Sequence, residues 1–586
     1  MQILLTDKQI KAVKSDGKVI LKACPGSGKT SVVAHKVAEE LIRWNKKNSG
    51  IALLSFTNVA HDELVEKIYK ITGIRGVSYP HYSGTIDSFV SKFIVLPYGN
   101  LILNTREKLK IVDEESYDYI INAKRFYSQE CHRRSCNPLS FYKDKDGNIK
   151  DLKGNLDKCE KDKKTCLINK KIMLKKGYIT YQDATIIAIQ LLTRYPRLSK
   201  VLAKKFTYLI IDEAQDTSKE QMEIFELLIK YGLKNILLIG DPDQAIYEWR
   251  DADPSIFLNK FNSEEWQGEL LNENFRCSQK ICNATRFFST LEESAIAKGD
   301  TKDFSFKPLV ILYDKNDKES LLNEYLKICT ANNIEINNKN VAVLVRGRSG
   351  LTGKDYSRIE KLWSSSAINY FANASFEREY GSSHKAMMLI EKGLYRYFLE
   401  ENDEIDIQEL LFKRDISEVD WDYLKKEVYI SLPGANLILK EWVQALCEKM
   451  NDISSKFKII PLPNVKLSVK GSDKKYSDFL QQPLRYFFVN MFNEDFLSST
   501  IHSVKGRTFD AVLLRIGTTG KLTSNILNNR DVKDEEIRTA YVAMTRARKV
   551  LVVGIPNTIK VKTLKRFPTT EWSIVDIEDL KNEVKK

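Results

Sequence analysis

The chain has 586 residues, of which 43% are hydrophobic and 10% aromatic, so it is long enough for several domains with substantial cores. Lysine and arginine outnumber aspartate and glutamate by 92 to 78, and the resulting net charge of +14 favours a nucleic-acid partner. The N-terminus does not resemble a signal peptide, and no apolar run reaches the roughly 20 residues of a membrane helix, so we expect a cytoplasmic protein without a membrane partner. Nine cysteines, an odd number, argue against a disulfide framework.

Short apolar runs separated by helical patterns predict an α/β fold. The helical patterns include residues 31–44 and 220–231. Because alternating strands and helices build open parallel sheets, we expect two such sheets, one before about Cys277 and one after it. The predicted strands are Lys18–Leu21, Ile51–Leu54, Tyr208–Ile211, Asn235–Ile239, Leu309–Leu312, Val341–Val345, Ala511–Leu514 and Val550–Val553.

Two stretches interrupt this alternation. Residues 96–176 are rich in lysine and cysteine, and residues 350–495 are mixed in composition with helical patterns. We interpret both as insertions into the two α/β cores. The predicted cores are residues 1–95 with 177–277, and residues 278–349 with 496–586.

A phosphate-binding loop follows the first predicted strand and precedes a helical pattern, which is the context that this motif requires. Its backbone N–H groups are predicted to face the phosphates of ATP, with Lys29 reaching the β- and γ-phosphates and the Thr30 hydroxyl ligating Mg²⁺. Ala23 stands where the motif has its first glycine. The predicted nucleotide-binding residues of the loop are Pro25, Gly26, Ser27, Gly28, Lys29 and Thr30.

A second apolar run, Tyr208–Ile211, ends in two adjacent carboxylates. Asp212 is predicted to hold Mg²⁺, and Glu213 to orient the water that attacks the γ-phosphate. A strand that ends in Asp-Glu often does no more than cap a helix. Together with the phosphate-binding loop, however, the pair predicts ATP hydrolysis.

Further motifs, in their order along the chain, resemble those of the UvrD/Rep/PcrA-type DNA helicases of superfamily one. The resemblance implies an α/β fold with two RecA-like parallel-sheet cores, each with a largely helical insertion. It also implies an enzyme that hydrolyses ATP between the cores while it moves 3′ to 5′ on single-stranded DNA. The matching segments are residues 5–9, 55–60, 84–89, 240–250, 274–276, 501–506 and 541–547.

The same resemblance assigns catalytic roles to three further residues. Gln244 contacts the γ-phosphate and couples hydrolysis to DNA contact, while Arg276 and Arg546 reach the γ-phosphate from the second core. Arginine fingers of this kind raise the rate by about 10³–10⁵. The complete predicted catalytic set is Lys29, Asp212, Glu213, Gln244, Arg276 and Arg546.

Nucleotide recognition departs from the family pattern at two positions. Gln9 is predicted to hydrogen-bond adenine and Phe275 to stack on it. Thr508 stands where the family has a glutamate that contacts the ribose, and Ser31 stands where it often has an arginine that packs on adenine. We therefore expect the chain to bind nucleotide with less strict selection for ATP.

DNA contacts are predicted on the remaining motifs. Aromatic side chains there offer flat faces for bases, and stacking tolerates any base sequence. For Phe56 and Tyr247 the alternative is ordinary core packing. The candidate DNA-binding residues are Phe56, Thr57, Asn58, Thr85, Tyr247, Trp249 and His502.

The first insertion also carries a group of potential metal ligands. One interpretation is a zinc site, although the spacings are looser than those of ordinary zinc ribbons; the other is free thiols on a basic surface. The candidate ligands are Cys131, His132, Cys136, Cys159 and Cys166.

Three functions fit these patterns. The first is a helicase or translocase acting on single-stranded or tailed DNA. The second, suggested by a resemblance of residues 240–257 and 274–277 to the helicase subunit of Gabija-type anti-phage systems, is a DNA-sensing ATPase that licenses a partner nuclease of the OLD/TOPRIM type. The third is an inactive scaffold, which the complete catalytic set argues against.

Overall fold

The computed structural model describes residues 5–56, 58–73, 79–112, 138–144, 147–151, 163–246, 252–347, 363, 366–380, 383–398, 411, 415–456, 480–487, 496–517, 520–529, 531–559 and 564–583. These residues divide into two compact units. The first holds the described residues below 115, between 128 and 350 and from 500 onward, and the second holds those between 351 and 499.

The first unit contains one complete six-stranded sheet and five strands of a second. In the first sheet all the strand pairs are parallel, and the order is β6-β1-β5-β4-β2-β3. Its strands are β1 (Lys18–Ala23), β2 (Gly50–Ser55), β3 (Tyr82–Thr85), β4 (Phe206–Ile211), β5 (Asn235–Gly240) and β6 (Gln267–Leu271).

The second sheet has the order β9-β8-β10-β11-β7-β12, and its pairings from β8 through to β12 are parallel. Its strands are β7 (Leu309–Tyr313), β8 (Val341–Val345), β9 (Leu497–Thr500), β10 (Phe509–Arg515), β11 (Ala547–Pro556) and β12 (Ser573–Asp576).

The central strands of the first sheet are buried on both faces. Successive side chains of a strand point to opposite faces, and here Ile20 and Leu209 join one apolar cluster while Val19 and Ile210 join another. Each central strand must therefore be apolar at every position, which explains why these strands appear in the sequence as continuous apolar runs.

Helices connect the strands and cover the sheets. In the first unit they are α1 (Asp7–Lys14), α2 (Lys29–Arg43), α3 (Asn58–Thr72), α4 (Ile86–Val90), α5 (Lys163–Lys175), α6 (Tyr181–Arg194), α7 (Pro196–Lys205), α8 (Lys219–Lys230), α9 (Pro254–Phe261), α10 (Gln279–Thr285), α11 (Lys318–Ala331), α16 (Lys521–Leu527), α17 (Glu535–Met544) and α18 (Ile577–Glu583). In the second unit they are α12 (Ser366–Tyr380), α13 (Ser383–Phe398), α14 (Glu418–Ser431) and α15 (Leu439–Lys456).

The second unit has an apolar core of its own, built from these four helices. Phe371, Leu394, Leu424 and Trp442, one from each helix, are buried in a single cluster. The Trp442 indole N–H also donates to the Pro433 carbonyl at 3.3 Å, so its polar group is satisfied inside the core.

The α/β fold with two parallel-sheet cores and helical insertions is confirmed. All eight predicted strands are present, and most extend one to three residues further at their ends than predicted. The predicted core and insertion boundaries stay a prediction. The six described cysteines are free thiols, and none of the described helices combines the length and apolar character needed to span a membrane.

Candidate active site

The predicted functional residues of the first sheet lie at the carboxyl ends of its strands. The phosphate-binding loop follows β1, Asp212 follows β4 and Asp241 follows β5, and these three strands are neighbours. Phe56 follows β2, and Thr85 ends β3, on the far side of the sheet. Ligands of parallel sheets bind at this edge, so the topology separates the nucleotide candidates from the DNA candidates along it.

Close backbone approach shapes the phosphate-binding loop. Gly26 has a φ of +71°, and a Cβ added to it would lie 2.7 Å from Arg276 Cβ and 2.7 Å from Asn274 Oδ1. Gly28, with a φ of +79°, is the N-cap of α2. The Ser27 hydroxyl is buried with no hydrogen-bond partner among the described residues. This glycine cradle with an unsatisfied donor at the N-terminus of a 15-residue helix fits a phosphate group.

Ala23, which replaces the first glycine of the motif, is the last residue of β1 and is buried. Its backbone is extended, so the position needs no glycine. The departure from the motif therefore leaves the loop geometry intact.

Gln9 is buried and holds the same loop. Its Nε2 donates to the Ser27 carbonyl at 2.9 Å, and its Oε1 accepts from the Thr6 backbone N–H at 3.0 Å as part of a capping box on α1. The side chain that was predicted to contact adenine is thus also a brace between α1 and the phosphate-binding loop.

Asp212 and Glu213 leave β4 in a tight turn. Asp212 is buried, its backbone N–H donates to the Leu54 carbonyl at 2.9 Å, and its Oδ1 accepts from the Glu213 N–H at 3.0 Å. Glu213 has a left-handed φ of +54°, which is uncommon outside glycine and often marks functional sites. A buried carboxylate of this kind is the type of oxygen donor that Mg²⁺ prefers.

The surroundings of Glu213 keep its carboxylate ionised. Burial alone would raise the pKa of Glu213, but the positive charges of Lys29 and Lys505, a hydrogen bond from Gln215 and the charge of Arg546 lower it to about 2. The Gln215 amide donates to Glu213 Oε2 at 2.6 Å. Glu213 is therefore a hydrogen-bond acceptor at neutral pH, as a residue that orients water must be.

Gln244 joins the two sheets. Its Nε2 donates to Asp241 Oδ2 at 2.5 Å, and its Oε1 accepts from Arg546 Nη2 at 2.5 Å. Arg546 follows α17 of the second core and is almost fully buried. Burial, and next the repulsion of Arg276, lowers the pKa of Arg546 to about 9, although Glu213 and Asp241 oppose that shift.

Arg276 lies beside both the loop and Arg546. Its Nη1 donates to the Thr545 carbonyl at 3.2 Å, and its backbone N–H donates to Asn274 Oδ1 at 2.8 Å. The neighbouring Phe275 donates its N–H to the Gly26 carbonyl at 2.9 Å, and its ring is 37% exposed. Thr508 is also exposed.

Three contacts between the sheets were not predicted. Lys505 Nζ lies 2.5 Å from Asp216 Oδ2, and buried Arg538 donates its Nε to the Ala245 carbonyl at 2.7 Å. His502 hydrogen-bonds the backbone of Ile246, and burial is the main reason why its pKa is lowered. Lys505 lies inside a matching motif and Asp216 lies three residues after Glu213, so their charges were visible in the sequence. Arg538 lies just before a matching motif, and no sequence pattern marked it.

The DNA candidates are described in part. Phe56 is half-buried after β2, and the Thr85 hydroxyl caps α4 by accepting from the Ser88 N–H at 3.2 Å. Asn58 begins α3. Thr57, Tyr247, Trp249 and the side chain of Asn58 lie outside the described residues.

The zinc hypothesis rests mainly on residues outside the described part of the chain. Cys131, His132, Cys136 and Cys159 lie there, and Cys166 is a buried free thiol near the start of α5. Zinc binding by this segment stays a prediction.

The fold and this site define the class of RecA-like P-loop ATP hydrolases with two cores. Residues 5–264 match the model of the UvrD/REP helicase N-terminal domain, and residues 490–557 match that of the UvrD-like helicase C-terminal domain. The chain therefore belongs to the UvrD/Rep helicase family.

Individual relatives agree with this assignment. The chain is 25% identical to the ATP-dependent DNA helicase Rep of Buchnera aphidicola subsp. Schizaphis graminum, over 92% of this chain and 90% of that protein. It is 29% identical to a probable DNA helicase II homolog of Mycoplasma capricolum, over 49% of this chain and 41% of that protein. It is 26% identical to the ATP-dependent DNA helicase PcrA of Bacillus subtilis, over 48% of this chain and 38% of that protein. The chain thus spans most of the Rep relative but about two fifths of the other two.

Proposed function

We propose that this protein is an ATP-dependent DNA helicase or translocase that moves 3′ to 5′ on single-stranded DNA and hydrolyses ATP between its two cores. The observation that carries the proposal is the 2.5 Å hydrogen bond from Arg546 Nη2 to Gln244 Oε1. It brings a cation of the second core to the carboxylates and the phosphate-binding loop of the first.

In this proposal the first core binds and orients the nucleotide. Backbone N–H groups of residues 25–28 and the Lys29 ammonium bind its phosphates, and Ser27 gains an acceptor for its buried hydroxyl. Thr30 and Asp212 hold Mg²⁺, which neutralises charge on the phosphates when it is bound. Glu213, ionised by its cationic neighbours, accepts a hydrogen bond from the attacking water.

Two arginines supply positive charge to the reaction, Arg546 from the second core and Arg276 from the segment that follows the first sheet. Arg276 and Arg546 stabilise the charge that develops on the γ-phosphate. Arg546 is already hydrogen-bonded to Gln244, and Gln244 to Asp241, so a phosphate that draws Arg546 forward alters a chain of contacts between the sheets. This chain gives nucleotide binding a physical route to domain movement.

The DNA is proposed to cross the carboxyl ends of β2 and β3, away from the nucleotide. Phe56 offers a partly exposed ring there, and stacking on such a ring contributes about 1–3 kcal/mol per base without base selectivity. Thr57, Asn58, Thr85, Tyr247, Trp249 and His502 complete the proposed contacts. The direction of movement is implied by the family resemblance.

Strand displacement from tailed duplexes tests the function and its direction. We expect the protein with ATP and Mg²⁺ to release the strand from a duplex with a 3′ single-stranded tail, and not from the same duplex with a 5′ tail. Lys29→Ala serves as the inactive control. Displacement from the 5′-tailed duplex alone contradicts the proposed direction, and displacement by Lys29→Ala contradicts the proposed use of ATP.

The alternative of a DNA-sensing subunit in an anti-phage complex shares this ATPase chemistry and differs in its output. It predicts that the protein co-purifies with an OLD/TOPRIM-type nuclease and that DNA-dependent ATP turnover changes DNA cleavage by the complex. Purification as a protein that binds no nuclease counts against it.

A further inference from the structure

A cavity of about 740 Å³ lies at the carboxyl ends of β7, β8 and β10 in the second sheet. The candidate nucleotide residues of the first core lie at the corresponding edge of the other sheet, which is where parallel sheets bind ligands. None of the residues that line this cavity belongs to the predicted catalytic, nucleotide-binding or DNA-binding sets. Five of its lining residues are cationic: Lys315, Lys318, Arg346, Arg515 and Lys521.

The cavity has a large excess of positive charge. Glu536 is the one carboxylate among its described lining residues, and it is paired with Arg346 through two hydrogen bonds of 2.7 and 2.8 Å. That bidentate pair is locally neutral. The charges of Lys315, Lys318, Lys521 and Arg515 are left without a balancing carboxylate in the described lining.

Arg515 is the least expected of these four cations. It is the last residue of β10 and only 6% exposed, and its Nη2 is buried with no hydrogen-bond acceptor among the described residues. The nearby Tyr313 hydroxyl donates its own proton to the Ile516 carbonyl at 3.1 Å. Burial lowers the pKa of Arg515, but a guanidinium does not give up its proton in proteins.

Buried polar groups nearly always have a partner, and a buried charge without one costs free energy. An anion in the cavity removes this cost. A phosphate fits best, because its oxygens accept several N–H groups at once and guanidinium binds it in the bidentate geometry. The three exposed glycines of the lining, Gly347, Gly517 and Gly520, leave room for close approach to the backbone.

We propose that this cavity binds a phosphate group, with Arg515 as the buried anchor and Lys315, Lys318 and Lys521 as outer contacts. The phosphate belongs either to the backbone of the bound DNA strand or to a free phosphorylated small molecule. The first source rests on the proposed function and adds a backbone contact to the proposed DNA path, which already includes His502 of the second core. The second source does not depend on the proposed function.

DNA affinity tests the first source. Binding of a labelled oligothymidylate is measured over a range of salt concentrations for wild type, Arg515→Leu and Lys521→Ala. Loss of the anchoring contact is expected to weaken binding about tenfold or more in Arg515→Leu. The slope of log affinity against log salt is expected to fall by about 0.7, the value for one phosphate of a single strand.

A thermal-shift titration with tripolyphosphate tests the second source. The phosphate-binding loop is first saturated with a non-hydrolysable ATP analogue and Mg²⁺, so that only other sites respond. If the cavity binds a free phosphorylated molecule, we expect tripolyphosphate to shift the unfolding midpoint of wild type. This shift is expected to be lost in Arg515→Leu and reduced in Lys521→Ala.

Arg566→Leu is the matched control, because Arg566 is also 6% exposed and its Nε also lacks a hydrogen-bond partner among the described residues, but it lies outside the cavity and its Nη1 donates to the Phe287 carbonyl at 2.5 Å. Lys521→Ala, an exposed position, keeps the test valid if Arg515→Leu does not fold. Weaker oligothymidylate binding in the cavity variants, but not in the control, supports the proposal and identifies DNA as the source of the phosphate. Loss of the tripolyphosphate-induced shift in the same variants supports the proposal and identifies a free phosphorylated molecule. Variants that match wild type in both experiments overturn it. If wild type binds no DNA, the proposed function fails, and the tripolyphosphate titration still decides this inference.

Discussion

At the scale of single residues, the phosphate-binding loop shows which departures from a motif matter. Ala23 is harmless because it ends a strand with an extended backbone. Gly26 is different, since it combines a left-handed φ of +71° with contacts to Arg276 and Asn274 that leave no room for a Cβ. The motif letters alone do not distinguish these two positions; the backbone angle does.

Gly26→Ala is therefore expected to weaken nucleotide binding at least about tenfold, because the added methyl forces the loop and the Arg276 segment apart. Gly17→Ala is the matched control. Gly17 has a similar φ of +92° with no atom within 4 Å, so the substitution adds strain of about 1–2 kcal/mol without a clash. Titration with a fluorescent ATP analogue checks both. Equal affinities in Gly26→Ala and Gly17→Ala contradict this account of the loop.

The stability of the protein is expected to depend on pH because of Asp243. Its Oδ2 accepts from the Thr290 N–H at 2.9 Å and from the Thr290 hydroxyl at 3.1 Å, but burial and the charge of Asp241 raise the pKa of Asp243 to about 7. The folded state thus keeps a proton that the unfolded state releases above about pH 4. The contribution of Asp243 to the free energy of unfolding is therefore complete below about pH 4. It falls by about 1–4 kcal/mol as the pH rises to about 7.

The Asp243→Asn variant carries an uncharged amide at every pH in this range. We therefore expect its thermal unfolding midpoint to rise relative to wild type between pH 5 and pH 7.5. Midpoints of both proteins at three pH values measure the effect. A constant difference across that range would rule out the raised pKa of Asp243.

At the scale of elements, the sequence predicted the centre of each sheet and missed its edges. The eight predicted strands are the four central strands of both sheets, where burial on two faces demands continuous apolar runs. The four missed strands, β3, β6, β9 and β12, are the edges. β3 and β12 are half-buried throughout and β6 is largely exposed, so their sequences are short, mix polar with apolar residues and carry no continuous apolar run.

The site was predictable to the extent that motifs mark strand ends. Strand, loop and helix around Lys29, and the carboxylates after β4, follow from local patterns. The hydrogen bond between Gln244 and Arg546 joins residues 302 positions apart, and only the packing of one core on the other creates it. For the same reason the contact of Arg538 with Ala245 could not be predicted from the sequence.

The ion pair of Lys505 and Asp216 links a segment after β9 to the loop after β4. Both side chains are largely buried, so removal of one partner leaves an uncompensated charge and is expected to cost about 3–5 kcal/mol. Lys505→Ala, Asp216→Ala and the double variant form a thermodynamic cycle, measured by thermal unfolding and by ATP turnover. We expect the double variant to be less impaired than the sum of the single variants.

The control pair for this cycle is Lys549 and Asp510, which lie 2.9 Å apart within the second sheet and are more exposed. Lys549→Ala is expected to cost about 1 kcal/mol or less. Additive effects in the Lys505–Asp216 cycle would show that this pair does not connect the two cores energetically.

At the scale of the whole molecule, the two sheets are proposed to share one reaction. In the proposed mechanism the loop and carboxylates of the first core bind and orient the nucleotide, and Arg546 of the second core completes the site. Because each core holds part of the predicted catalytic set, the proposed mechanism makes hydrolysis depend on how the cores are arranged, and DNA bound across them is expected to change that arrangement.

Steady-state ATP turnover with and without an oligothymidylate, in wild type, Arg546→Ala and the neighbouring control Arg548→Ala, tests this claim most directly. Arg548 pairs with Asp300 and Asp510 and does not contact Gln244. We predict that DNA stimulates wild type many-fold, that Arg546→Ala lowers kcat by about 10³ or more while it still binds ATP, and that Arg548→Ala stays near wild type. Turnover that does not respond to DNA, or that survives the loss of Arg546, would contradict a site shared between the two cores.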